Sequence, residues 1–107
     1  MTELNEALKV LSSPNRREIL ALLKDPDQSF AGLTQLYDFA VYGVCASLIQ
    51  ERAGLSQPAT SLCLKALLDI GFVKASKVGK WTYYQRSEAS LVSAVTDLLE
   101  TLQIELD

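Results

Sequence analysis

The side chains best suited to chemistry in this 107-residue chain are few. They are two cysteines, Cys45 and Cys63, and a run of hydroxyls and amides, Ser56, Gln57, Thr60 and Ser61, with Leu62 and Lys65 close behind and Lys77 and Lys80 further on. The chain contains no histidine. With no paired carboxylates and no nucleophile–base spacing either, no catalytic residue is assigned, and an enzyme is the least favoured class. Hydroxyls and amides grouped at the front of a helix suit a different task, the reading of base edges in the major groove. Lysines beside them suit phosphate. A thiol near a helix N-terminus suits a third, because the dipole favours the thiolate that attacks oxidants and binds soft metals.

Those residues need elements to hold them. Leu4, Leu8 and Leu11 fall on one face of a first helix. Ser13-Pro14 reads as an N-cap and first-turn proline opening a second helix, with Ile19, Leu20 and Leu23 inward and Pro26 beyond its end. Residues 25–42 are aromatic, broken by Gly32, and only partly helical in pattern. Val44 to Ala53 reads as a short third helix, which places Cys45 near its N-terminus, with Gly54 just past its end. Ser56 caps a fourth helix with Pro58 in its first turn, and Gly71 ends it. On that helix Thr60, Leu64 and Leu67 share one side, while Pro58, Ser61, Leu62, Lys65 and Asp69 lie opposite. Phe72–Val78 and Trp81–Arg86 are β-prone runs around Gly79-Lys80, a hairpin signal. Ser87 caps a last helix striped by Leu91, Val95, Leu98, Leu102 and Leu106.

Composition bounds the class. The length fits one domain with a modest core, and an apolar share of 49% suits a globular protein or an obligate oligomer. No apolar run approaches the ~18 residues of a membrane span. The start MTELNEALKV carries acids and no apolar leader, so the expectation is a cytoplasmic protein with no membrane partner. Two cysteines without a leader point to a reducing compartment rather than to disulfides. The net charge of −3 averages over faces, whereas binding depends on the local field. Between Ser56 and Arg86 the bases are Lys65, Lys74, Lys77, Lys80 and Arg86 against the single acid Asp69.

Helix, glycine turn, helix and hairpin in that order make a helix-turn-helix followed by a wing. The fold class expected is therefore mainly α with a small β-hairpin: a single winged helix-turn-helix domain over 1–107. The helix-turn-helix spans about 44–70 and the wing about 73–86. Helices at about 2–11 and 88–105 carry stripes too apolar for a small monomer to expose, which predicts a dimer through the first and last helices. Three segments then carry a resemblance. LSSPNRREILALL resembles the L-A-D-P-T-R-L-R-I-L signature of the ArsR/SmtB family of winged-helix repressors, and AGLSQPATSLCLKALLDIGFV and GKWTYYQ resemble its recognition-helix and wing motifs. The resemblance covers nearly the whole chain except residues 25–42, a segment longer than the family's usual link. It implies a homodimer that represses an operon by binding double-stranded DNA until a signal releases it.

The resemblance also bears on metal. Metal-sensing members carry Cys-x-Cys on the third helix, and those positions fall here on Cys45 and Ser47. One thiolate is missing, and without histidine the family's last-helix site cannot be built. Asp97 and Glu100 alone would be a poor soft-metal site. No metal and no cofactor is expected.

Each candidate has a plain alternative. Ser56 caps its helix whether or not it touches DNA. Gln57 and Ser61 are the favoured base contacts, and Leu62 either presses on a thymine methyl or is merely tolerated at the surface. Lys65, Lys77 and Lys80 are phosphate contacts or ordinary solvated lysines, and Arg16 and Arg17 admit the same two readings. Trp81, Tyr83 and Tyr84 are expected as wing core rather than stacking platforms. Cys45 and Cys63 are either a thiol sensor or two small buried hydrophobes. Residues 25–42 are expected to pack as an extra element in preference to lining a pocket. The competing function is a winged-helix interaction or dimerisation module with degenerate DNA binding. The operator and the inducer are not encoded legibly.

Overall fold

The computed structural model describes residues 3–106; Thr2, the expected start of the first helix, lies outside them. Seven helices and three short strands follow one another in the described chain. Helix α1 (Leu4–Leu11) is capped by the Glu3 carboxylate, which accepts from the Asn5 and Glu6 N–H groups at 3.0 and 3.1 Å. Its inward line is Ala7, Val10 and Leu11, and Leu8 faces solvent. Helix α2 (Pro14–Leu22) starts as its sequence requires, with the Ser13 hydroxyl accepting from Arg16 N–H. Arg16 and Arg17 have a role inside the fold beside the two readings given them above. Their guanidinium groups donate back to the carbonyls of Lys9, Val10 and Leu11, satisfying the orphan acceptors where α1 ends.

Residues 25–42 form two single helical turns, α3 (Pro26–Ser29) and α4 (Phe39–Tyr42), joined by loop. Phe30 anchors the segment in the core at 0% exposure. Tyr37 and Tyr42 stack on each other and against Tyr83, with Tyr37 meeting Tyr83 edge-on at 5.7 Å. The segment packs on the core, and at Thr34, Gln35 and Leu36 it also lines a hollow, so both readings given it above apply.

The third helix is shorter than its pattern suggested. Val44 and Cys45 are a strand, β1 (Val44–Cys45), and only then does α5 (Ala46–Ala53) begin. Two apolar residues cannot by themselves distinguish strand from helix; here long-range pairing decides, Val44 opposite Tyr84 and Cys45 opposite Tyr83. Gly43 makes the approach feasible, because a Cβ there would collide with the Tyr84 carbonyl. Helix α6 (Gln57–Ile70) ends at Gly71, and β2 (Val73–Val78) and β3 (Trp81–Arg86) fold about Gly79-Lys80. The expected hairpin is thus part of a three-stranded antiparallel sheet of order β1-β3-β2.

The last helix, α7 (Glu88–Thr101), stops before 105. Gln103 adopts a left-handed φ of 59°. Its N–H bonds Glu100 O and that of Ile104 bonds Leu99 O, the double closure that ends a helix. The stripe also divides. Leu91 and Ala94 are buried, whereas Val92, Val95, Leu102 and Leu106 are exposed. The core gathers Ile19, Phe30, Ile49, Leu64, Leu67, Phe72 and Tyr83, each at most 2% exposed, and burial of each aliphatic side chain among them is worth about 1.5–3 kcal/mol.

Candidate nucleic-acid interface

The turn between α5 and α6 is set by Gly54, whose left-handed φ of 69° lets its N–H and that of Leu55 close on Glu51 O and Gln50 O. The chain then re-enters helix at Ser56, whose hydroxyl accepts from Ala59 N–H at 3.2 Å. This fixes the leading edge of α6. Gln57 and Ser61 are exposed one turn apart, the Gln57 amide donating to the Ser61 hydroxyl at 2.9 Å. Leu62 stands beside them at 69% exposure. Two expected contacts are altered. Thr60 is only 3% exposed, with its hydroxyl turned back to donate to Ser56 O, so it is a packing residue. Lys65 pairs with Asp69 at 3.0 Å on the helix surface, which offsets its charge locally, although an exposed pair of this kind is weak.

The wing lies alongside. Lys74, Lys77 and Lys80 are exposed, and the Lys80 ammonium sits 5.8 Å from the centre of the Trp81 ring. Trp81 departs from the wing-core expectation at 45% exposure, while Tyr83 meets it at 1%. The reason is position: Trp81 is the first residue after the turn, beyond the reach of the core. Between α6 and the wing runs a groove of about 300 Å³, lined by Gln57 and Ser61 on one side and Lys80, Trp81 and Thr82 on the other, with Cys45, Ser47 and Thr60 also contributing. Polar donors, an aromatic and a cation converge on one concave surface.

No protein-family model matches the sequence. Curated relatives and solved structures do. The HTH-type transcriptional regulator YbzH of Bacillus subtilis, itself uncharacterized, is 38% identical over 96 residues, 90% of this chain and 94% of that protein. The ArsR2 protein of Halobacterium salinarum, named for repression of an arsenical resistance operon, is 30% identical over 97 residues, 91% of this chain and 66% of its own length. An ArsR-like transcriptional regulator from Rhodococcus sp. RHA1 superposes with a TM-score of 0.67 at 26% identity, covering 94% of this chain and 78% of that one. The chain belongs to the ArsR family of winged helix-turn-helix transcriptional regulators. It is a transcriptional regulator by that kinship.

Within an ArsR-type fold the cysteine positions can now be placed. Cys45 is the N-cap residue of α5 and the second residue of β1, 6% exposed, and its sulfur lies 3.4 Å from the Ser47 hydroxyl. Cys63 is buried on the inner side of α6. Both are free thiols. Among the described residues no three histidine, cysteine, aspartate or glutamate side chains cluster to hold a metal ion, and none of the described helices is long and apolar enough to cross a membrane. Burial pushes the phenols of Tyr83 and Tyr84 above their usual value, with the Cys45 sulfur adding to the effect.

One residue with a visible role was not singled out by its type. Gln35 donates to the carbonyls of Tyr37 and Gly43 at 2.7 and 2.8 Å and accepts from Cys45 N–H at 2.8 Å. It ties the 25–42 segment to β1. A glutamine within an aromatic loop gives no pattern that sequence reasoning could have used.

Proposed function

We propose that the protein is a homodimeric repressor that binds a palindromic stretch of double-stranded DNA in the cytoplasm and is released by a signal that reaches Cys45. The observation that carries this reading is the exposed front of α6 beside a lysine-bearing wing. In such a fold the second helix of the turn enters the major groove with its N-terminal residues on base edges. Gln57 and Ser61 read bases, Leu62 lies against a thymine methyl, and Ser56, Lys65, Lys77 and Lys80 hold phosphate. Thr60 supports the helix from beneath. The exposed Val92, Val95 and Leu102 of α7, with Leu8 of α1, form the surface that a second copy covers. Two copies related by a two-fold axis present two recognition helices, and a palindromic site answers that symmetry.

Cys45 is the entry point of the signal because it lines the same groove as Gln57 and Ser61. A change at its sulfur, whether oxidation, adduct formation or soft-metal capture, alters the support on which α6 rests. The test is anisotropy of labelled DNA from upstream of the protein's own gene, with the chain reduced and then treated with peroxide or arsenite. Wild type releases DNA on treatment and Cys45→Ser does not. An equal response from both proteins removes Cys45 from the pathway without touching DNA binding. Leu62 favours a second reading, in which an apolar residue on the exposed face docks a protein; absence of any salt-sensitive DNA binding would select it.

A further inference from the structure

Beside the DNA groove a second hollow, of about 290 Å³, opens between the 25–42 segment and the wing. It is lined by Thr34, Gln35 and Leu36 of the segment, by Cys45, Ser47 and Leu48, and by Trp81 and Tyr83 of the wing. None of its lining residues carries a charge. The one amide is already engaged, since Gln35 spends both its donors and its acceptor on the backbone of Tyr37, Gly43 and Cys45. Those bonds hold the Gln35 side in place, so the hollow is preformed. At its mouth Leu36 and Trp81 stand 76% and 45% exposed, two large apolar side chains left facing water.

We propose that this hollow binds a small, neutral, single-ring aromatic molecule, and that its occupancy is transmitted to the DNA groove. The lining sets the ligand class. The exposed Trp81 ring offers the ring contact, Leu36 and Leu48 add apolar surface and Thr34 and Ser47 only neutral hydroxyls, and with no charged residue in the lining a charged ligand enters at a net desolvation cost. The volume lies at the lower end of small-molecule sites, which suits one ring and not a fused system. The transmission follows from shared residues, because Cys45, Ser47 and Trp81 line both this hollow and the groove beside α6. A ligand that shifts the Trp81 ring moves the wing residue against which Lys80 rests. Linkage then requires DNA and ligand to alter each other's affinity by the same factor. The transmission rests on the DNA-binding reading above; the hollow itself does not.

Trp81 is the only tryptophan in the chain, so its emission reports on the site without DNA present. The full-length protein is titrated with 4-fluorobenzyl alcohol and, separately, with 4-fluorobenzoate, following Trp81 emission and the fluorine resonance of each probe. Wild type should bind the alcohol saturably and the benzoate about tenfold more weakly or worse. Leu36→Asp places a charge at the rim of the hollow and, at so exposed a position, leaves the fold intact, which circular dichroism checks. It should weaken the alcohol by about tenfold as well. Equal binding of alcohol and benzoate, a response that never saturates, or a Leu36→Asp protein that binds as wild type does would overturn the site. Saturable binding that leaves DNA affinity unchanged would overturn the transmission alone. Failure of DNA binding itself would leave the emission titration unaltered.

Discussion

The side-chain oxygen of Gln35 accepts the backbone N–H of Cys45 at 2.8 Å, across ten residues of sequence. Through this contact the aromatic 25–42 segment is fastened to the strand that precedes the helix-turn-helix. Gln35→Ala leaves the Cys45 N–H and the Tyr37 and Gly43 carbonyls without that partner, and Gly43 and Cys45 are buried. Unsatisfied buried groups cost about 1–3 kcal/mol. Thermal or urea unfolding of Gln35→Ala should show a loss of that order, and an unchanged midpoint would mean the clamp is dispensable.

Assembly is tested on α7. Val95 and Leu102 are 47% and 59% exposed in the protomer, so a charge at either strikes the proposed dimer surface and spares the core. Val95→Asp should sediment as a folded monomer, with the helical circular dichroism of wild type. A stable dimer at the same concentration would place the interface elsewhere.

Acid should weaken the fold through Glu88. Hydrogen bonds from the Arg86 guanidinium hold its carboxyl below the usual value of 4.5, with Lys24 contributing. A lowered folded-state pKa gives stability that is present above the unfolded value and lost as pH falls through the folded one. Between about pH 5 and pH 3 the melting temperature of Glu88→Gln should therefore fall less steeply than that of wild type. Parallel curves would show that the pair does not contribute.

The wing is tested by salt. Each phosphate neutralised contributes about −0.9 to the slope of log affinity against log salt. Lys80→Ala should reduce the magnitude of the slope by about one unit, and so should Lys77→Ala. A slope identical to wild type for either would remove that lysine from the contact set.

The order of elements was legible because its signals are local. Ser13-Pro14, Ser56 with Pro58, Gly54, Gly71 and Gly79-Lys80 each specify a start, an end or a turn through nearby backbone geometry. What the sequence hid depends on partners distant along the chain. Val44 and Cys45 are a strand only because β3 lies beside them, and Gln35 matters only because the fold brings Cys45 to it. The roles of Arg16 and Arg17 came from the end of α1, a helix whose orientation no local pattern reveals. Thr60 shows the limit within one helix. Its place on the side of Leu64 and Leu67 was readable, and that same place buries it and turns its hydroxyl back onto Ser56 O.

The central claim is that the front of α6 reads base sequence, and one comparison addresses it directly. Binding of wild type and Gln57→Ala is measured by anisotropy on a duplex from upstream of the gene and on a scrambled duplex of equal length, at one fixed salt concentration. Wild type should prefer the upstream duplex, and Gln57→Ala should lose about 1–3 kcal/mol on it while changing little on the scrambled one. A wild-type protein that binds both duplexes alike, or a Gln57→Ala protein weakened equally on both, would contradict base reading by this helix.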